Sequence, residues 1–272
     1  MHDLRPIPVP DLSGRVVLVT GAGRGIGAAL ARILRERGAR VFAGVTGGGR
    51  DEWQDEWKDE WQEGWQDGRR DGRGAERGDV PTLPLDVTSD TEVDAAIERV
   101  AREAGRLDAL VNNAGVIDPI TPLADLPSDD LAPAFAVNVI GLHRVTRAAL
   151  PLLRASRGTV VNAGTGAATT AMEGWTAYCS SKAAARMMTQ MMALELAPHG
   201  VRSFFLGIPP TDTAMQEDIR RSGLNPVSRI PRGDLVHPDV PASALAWLCG
   251  PDAGEAGEAC LDVRDEFFRR MM

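Results

Sequence analysis

Several residue types are scarce in this 272-residue chain. It has one tyrosine, Tyr178, and two lysines, Lys58 and Lys182, beside 28 arginines (30 basic residues less two). Where arginine is the general cation, a retained lysine is a candidate for what arginine cannot do: change its protonation or act as a compact point charge. The three cysteines, Cys179, Cys249 and Cys260, are odd in number and widely spaced. They offer no metal-ligand pair and no disulfide framework, as expected of a reducing compartment. No apolar run approaches the ~20 residues that a bilayer span needs, so no membrane segment is expected. Positive charge is not in excess: 38 acids outnumber 30 bases for a net charge of −8, which argues against nucleic acid as a partner. Residues 1–6 show no charged-then-apolar leader, and a cytoplasmic location is the expectation. The four histidines, His2, His143, His199 and His237, are scattered. With no zinc spacing, phosphate-binding loop or serine elbow, no metal is expected.

One stretch lacks aliphatic residues. Between Gly47 and Asp79 the only one is Ala75, while Trp53, Trp57, Trp61 and Trp65 recur every four residues among 11 acids and 6 bases. We read residues 47–79 as an insertion into a single domain that spans 1–272. As a helix it would place the tryptophans on one drifting face, but Asp51, Asp55 and Asp59, and Glu52, Glu56 and Glu60, would stack like charges. A solvated low-complexity loop is the simpler reading. The alternatives are a short amphipathic helix docking its tryptophans, or a ligand-binding segment.

Elsewhere short apolar runs alternate with helical periodicity. Strands are expected at 15–20, 40–45, 82–86, 107–112, 158–162, 201–206 and 259–263. Helices are expected at 25–37, from Ser89 or Asp90 to about 103, and at 130–155, 177–196 and 241–248. Repeated β–α–β units predict an α/β fold: a Rossmann-like, doubly wound parallel sheet with helices on both faces.

The first strand runs into Thr20-Gly21-Ala22-Gly23-Arg24-Gly25-Ile26-Gly27 and then a helix. Gly21 permits a tight turn, Gly25 lets backbone amides approach a pyrophosphate, and Gly27 permits close helix–strand packing. Tyr178 and Lys182 are four apart and share one helix face. A phenol has a pKa near 10, and a nearby ammonium would lower it into a usable general acid.

The order TGAGRGIG, Asp86-Val87, Asn112-Asn113-Ala114-Gly115, Asn138 and Tyr178-Cys179-Ser180-Ser181-Lys182 resembles the short-chain dehydrogenase/reductase family over about residues 13–215, the insertion excepted. The resemblance implies a single-domain, NADP-preferring carbonyl reductase acting on a small-molecule carbonyl or alcohol substrate. It implies Tyr178 as general acid, Lys182 tuning it and holding the nicotinamide ribose, and Thr165 in place of the family serine 13 residues before the tyrosine. Asn138 would hold a water that relays protons from Lys182. Cofactor contacts are expected from Gly21, Gly23, Arg24, Gly25, Ile26, Gly27, Thr46, Asp86, Val87, Asn113, Ala114, Gly115, Tyr178, Lys182, Thr211 and Thr213.

NADP(H) is favoured over NAD. The second strand ends at Val45-Thr46 with no carboxylate to bind a ribose 2′-hydroxyl, and Arg24 suits a 2′-phosphate by charge and fork geometry. Two departures stand out. Ile208-Pro209 occupies the family's Pro-Gly position, which stiffens that turn. The end at Asp262-Val263-Arg264-Asp265 lacks the usual Val-Asp-Gly-Gly. The changes at Thr165 and Ile208-Pro209 keep open a non-redox cyclase or dehydratase, and the tryptophan insertion keeps open a non-catalytic dinucleotide-binding or partner-binding module. Residues 116–126, 166–175 and 216–235 are expected to line the substrate pocket, with Met172 and Trp175 facing substrate or core. Ala183, Met187, Met191 and Leu194 form an apolar helix face that suits a homodimer or homotetramer.

Overall fold

The computed structural model describes residues 3–47 and 82–272. Apart from Gly47, the 47–79 segment and its tryptophan repeat lie outside the described residues.

Seven parallel strands form one sheet in the order β3-β2-β1-β4-β5-β6-β7. They are β1 (Val16–Thr20), β2 (Arg40–Val45), β3 (Thr82–Pro84), β4 (Ala109–Asn112), β5 (Thr159–Thr165), β6 (Arg202–Ile208) and β7 (Cys260–Asp262). β1 and β4 lie side by side at the centre, where the strand order reverses. In such sheets ligands bind outside the carboxyl ends of the strands at this switch point.

Side chains alternate across the sheet. Val17 and Val19 face one core with α1 (Gly25–Glu36) and the helix Asp239–Leu248, while Val16 and Leu18 face a second core built on α2 (Asp90–Ala104). Both faces of β1 are therefore buried, which explains why it is a continuous apolar run. α2 starts at Ser89, whose Oγ accepts a hydrogen bond from Glu92 N, and ends at left-handed Gly105.

The helix expected at 130–155 is not continuous. A single turn, α3 (Ala132–Phe135), leads into a π-helical segment, Ala136–Gly141, and only then into α4 (Leu142–Ser156). α5 (Thr176–Leu196) follows β5 and packs beside this unit. A chain of buried amides and hydroxyls ties strands to helices. Asn112 Nδ2 donates to Thr146 Oγ1 (3.0 Å) and to Asn162 Oδ1 (2.8 Å), and Asn162 Nδ2 donates to Thr189 Oγ1 (2.9 Å). β5 reaches Thr165, three residues beyond the expected end, and so carries that threonine on regular strand backbone. α6 (Ala214–Ser222), α7 (Asp239–Leu248) and α8 (Glu266–Arg269) complete the helices used below; neither α6 nor α8 is among the helices expected from the sequence.

Candidate active site

A cleft of about 1260 Å³ opens at the carboxyl ends of β1, β4, β5 and β6. That exceeds the ~300–1,000 Å³ of ordinary small-molecule pockets and leaves room for a dinucleotide with a second ligand.

The glycine turn forms one end. A Cβ on Gly21 would lie 2.8 Å from Ala114 Cα, and Gly21 has φ +62°. Only glycine allows β1 and β4 to approach so closely there. Asn113 fastens the pair: its Nδ2 donates to Thr20 O (3.1 Å) and Gly21 O (2.9 Å), while the backbone amides of Asn113 and Ala114 donate to Thr20 Oγ1, each at 3.0 Å. Arg24 precedes α1 without a side-chain cap, and the first turn holds no acid. The first amides of the helix therefore lack side-chain partners, as a site for an anionic group requires. Gly23, Arg24, Gly25, Ile26, Thr46, Asp86, Val87, Asn113, Ala114 and Gly115 all line the cleft. Gly27 does not. Its Cβ would sit 2.2 Å from Gly21 O and 2.5 Å from Asn113 Nδ2, so Gly27 serves packing and not contact. The Asp86 carboxylate accepts from Thr88 N (2.8 Å) and Thr88 Oγ1 (2.7 Å), which fixes the turn after β3.

Thr165, Tyr178 and Lys182 meet at the other end. Thr165 Oγ1 accepts from Ala167 N at 3.2 Å, and Thr165 lines the cleft together with Tyr178. Lys182 Nζ donates to Ala163 O at 3.0 Å and lies 5.9 Å from the Tyr178 ring centroid. A side chain at Gly115 would crowd this ammonium, since its Cβ would fall 3.4 Å from Nζ. Trp175 packs edge-on against Tyr178, with ring centroids 5.6 Å apart.

The expected acidification of the phenol is reversed in the protein alone. Burial pushes Tyr178 up to about 12, against the opposing hydrogen bond from Thr165. Burial likewise brings Lys182 down to about 8. Burial removes water from both groups, and desolvation penalises whichever form is charged.

Asn138 is buried in the π-helical segment and does not line the cleft. Its Oδ1 accepts from Val116 N (3.0 Å), and its Nδ2 donates to Val116 O (2.8 Å) and Ser181 Oγ (2.9 Å). Its amide thus holds the segment after β4 against the helix that carries Tyr178 and Lys182. Thr211 and Thr213 line the cleft, and Thr213 Cγ2 would be 3.2 Å from a Cβ on Gly25. The Ile208-Pro209 departure therefore still brings the segment after β6 back over the glycine turn. Ile117, Met172, Trp175, Met215, Ile219 and Val227 make the walls beyond Tyr178 apolar. His143, His199 and His237 contribute nothing to the cleft, and no cluster suited to a metal ion occurs among the described residues.

Two further residues belong to this region without a motif to announce them. Ser181 donates to Tyr178 O (2.9 Å) while accepting from Asn138. Arg264 reaches the cleft from the end of β7. Its position could not be read from spacing, because it depends on the pairing of β6 with β7.

The family model for short chain dehydrogenase matches residues 15–223. A 3-oxoacyl-(acyl-carrier-protein) reductase of Vibrio harveyi is 32% identical over 248 residues, covering 89% of this chain and 93% of that protein. The solved structure of a short chain dehydrogenase from Burkholderia cenocepacia in complex with NADP is similar at 27% identity and a TM-score of 0.70, covering 92% of this chain and 88% of that one. A 3-ketoacyl-(acyl-carrier-protein) reductase from Brucella melitensis complexed with NADH is similar at 27% identity and a TM-score of 0.74, covering 93% and 97%.

Proposed function

Because this chain belongs to the short chain dehydrogenase family, and so to the nicotinamide-dependent oxidoreductases, we propose that it reduces the carbonyl of a small ketone or aldehyde with NADPH, and oxidises the alcohol in reverse. One observation carries the reading. Thr165, Tyr178 and Lys182 line the same cleft as the uncapped start of α1.

The residues present fit a dinucleotide. Its pyrophosphate would rest on the amides after Arg24, and its nicotinamide ribose would meet Tyr178 and Lys182. When bound, the nicotinamide supplies a hydride to the substrate carbon. Thr165, held by the Ala167 amide, orients the carbonyl oxygen. Tyr178, protonated at neutral pH, hands its proton to that oxygen as negative charge develops there. Lys182 then faces a phenolate that it can stabilise, which supports reprotonation. Asn138 positions the tyrosine helix through Ser181. The apolar walls exclude water from the reacting carbon.

Arg24 supports the choice of NADPH. It lines the cleft, and neither Val45 nor Thr46 brings a carboxylate that would repel a 2′-phosphate. The apolar face of α5 suits assembly of the enzyme as a homo-oligomer. Loss of absorbance at 340 nm across a panel of ketones tests the reading. Tyr178→Phe should lower kcat/KM by about 10²–10⁴-fold while NADPH still binds, and Arg24→Ala should raise KM for NADPH more than for NADH. Turnover that survives Tyr178→Phe would count against the mechanism.

A further inference from the structure

Arg264 brings a second cation to the cleft beside Lys182. Besides Lys182, it is the only charged side chain among the described residues lining the part of the cleft around Thr165 and Tyr178. It is also a built group. Nε donates to Asp262 Oδ1 at 2.6 Å and Nη2 to Oδ2 at 2.7 Å, a two-point fork that sets the guanidinium plane. The Arg264 backbone amide donates to Asp262 Oδ1 at 2.9 Å. Asp262 in turn depends on the bare backbone beneath it: a Cβ on Gly207, its register partner in β6, would fall 2.5 Å from Oδ2. Asp265 adds a second carboxylate, which accepts from Asp262 N at 2.6 Å. Neither carboxylate lines the cleft, so the cleft wall presents the cation and not its partners.

The other edge of the fork is open. Nη1 has no protein partner among the described residues, and the side chain retains 44% exposure. Nη2 lies 3.5 Å from where a Cβ on Gly166 would be, and Gly166 directly follows Thr165. With no side chain there, nothing on Gly166 stands between the guanidinium and the carbonyl-orienting hydroxyl. The remaining lining of this region is largely apolar: Ile117, Met172, Trp175, Met215, Ile219 and Val227.

We infer that Arg264 is a specificity-determining residue, and that the preferred substrate is an oxo-carboxylate, an apolar chain carrying a carboxylate remote from the carbonyl that is reduced. The open edge of the fork receives the carboxylate, the apolar walls cover the chain, and Thr165 and Tyr178 take the carbonyl oxygen. The inference rests on the reductase reading for its chemistry, but the anion subsite can be measured by itself.

The experiment uses a homologous series of oxo-carboxylates and their methyl esters, with two to six carbons between the two functions, and NADPH as reductant. In the wild-type enzyme the best acid should exceed its own ester in kcat/KM by roughly 10–100-fold, mostly through KM, as expected for a hydrogen-bonded charge pair. In Arg264→Met that ratio should fall towards one. Arg264→Lys, which keeps the charge and loses the fork, should fall between. Thermal melting checks that both variants fold. An acid-to-ester ratio near one in the wild type, or a ratio unchanged in Arg264→Met, overturns the inference. If neither acid nor ester is reduced, the reductase reading fails and calorimetry with the same acids decides the subsite. Binding lost in Arg264→Met upholds it, and binding absent from the wild type or equal in both overturns it.

Discussion

A buried lysine and the one tyrosine sit side by side with their titrations moved in opposite senses, and each shift has a measurable consequence. Lys182 has a folded-state value of about 8 against 10.5 for the free side chain. Below pH 8 both folded and unfolded states carry the ammonium, and the folded state bears the full cost of burying it. Between pH 8 and 10.5 the unfolded chain holds the extra proton, so stability rises with pH. Above 10.5 the lysine is neutral in both states and the cost is gone. The shift corresponds to roughly 3 kcal/mol, offset by about 1 kcal/mol for the hydrogen bond to Ala163 O. Lys182→Met should therefore melt a few degrees above wild type at pH 7, and melting curves taken up to pH 10.5 should show that advantage shrinking. An advantage independent of pH would mean that packing, not charge, causes it. Tyr178 acts later and with opposite sign: its raised value removes stability only as pH climbs from 10 towards 12. At Thr165 the hydroxyl and the methyl can be separated. Thr165→Ser should retain activity, whereas Thr165→Val should lose about 10²–10³-fold in kcat. Equal losses in steady-state assays would show that the hydroxyl is not used.

At the scale of elements, the glycine turn is a tight junction. A methyl at position 27 would have to displace Gly21 O and the side-chain amide of Asn113, which donates to it, and both belong to the clamp between β1 and β4. Gly27→Ala should cost about 1–3 kcal/mol in chemical denaturation and weaken NADPH binding in titrations; wild-type-like behaviour in both would show that the clamp has slack. This junction was legible because its requirements are local: a strand, a turn and a helix start follow one another in the chain. The four-residue spacing of Tyr178 and Lys182 was legible for the same reason. The break in the helix around Asn138 was not, since the apolar period runs through the π-helical segment unchanged and only the bonds from Asn138 to Val116 and Ser181 mark it. The burial that raises Tyr178 in the protein alone was not legible, because burial cannot be read from spacing. Arg264 escaped notice as a cleft residue because two successive strand pairings, β5 with β6 and β6 with β7, bring the end of β7 near Thr165.

For the whole molecule the outstanding feature is a face that folding leaves uncovered. Met187, Met191 and Leu194 are 58%, 46% and 71% exposed along one side of α5, and Ile140 from the neighbouring π-helical segment is 52% exposed. These four account for most of the large hydrophobic side chains that remain exposed among the described residues. Scattered apolar side chains on a surface need no explanation, but a contiguous group on adjoining elements marks a contact surface. The helix that bears it also carries Tyr178 and Lys182 on its buried side, so a partner seated there would brace the catalytic face from behind. A self-complementary patch on a two-fold axis places each α5 against its copy, and one acid introduced at position 191 then appears twice in the same interface. Met191→Asp should convert the proposed homo-oligomer to monomers by size-exclusion chromatography with light scattering. It should also lower the melting temperature in a concentration-dependent way, because subunits that bind only the folded state stabilise it by mass action. A wild-type chain that elutes as a monomer at micromolar concentration would leave this face without the proposed partner.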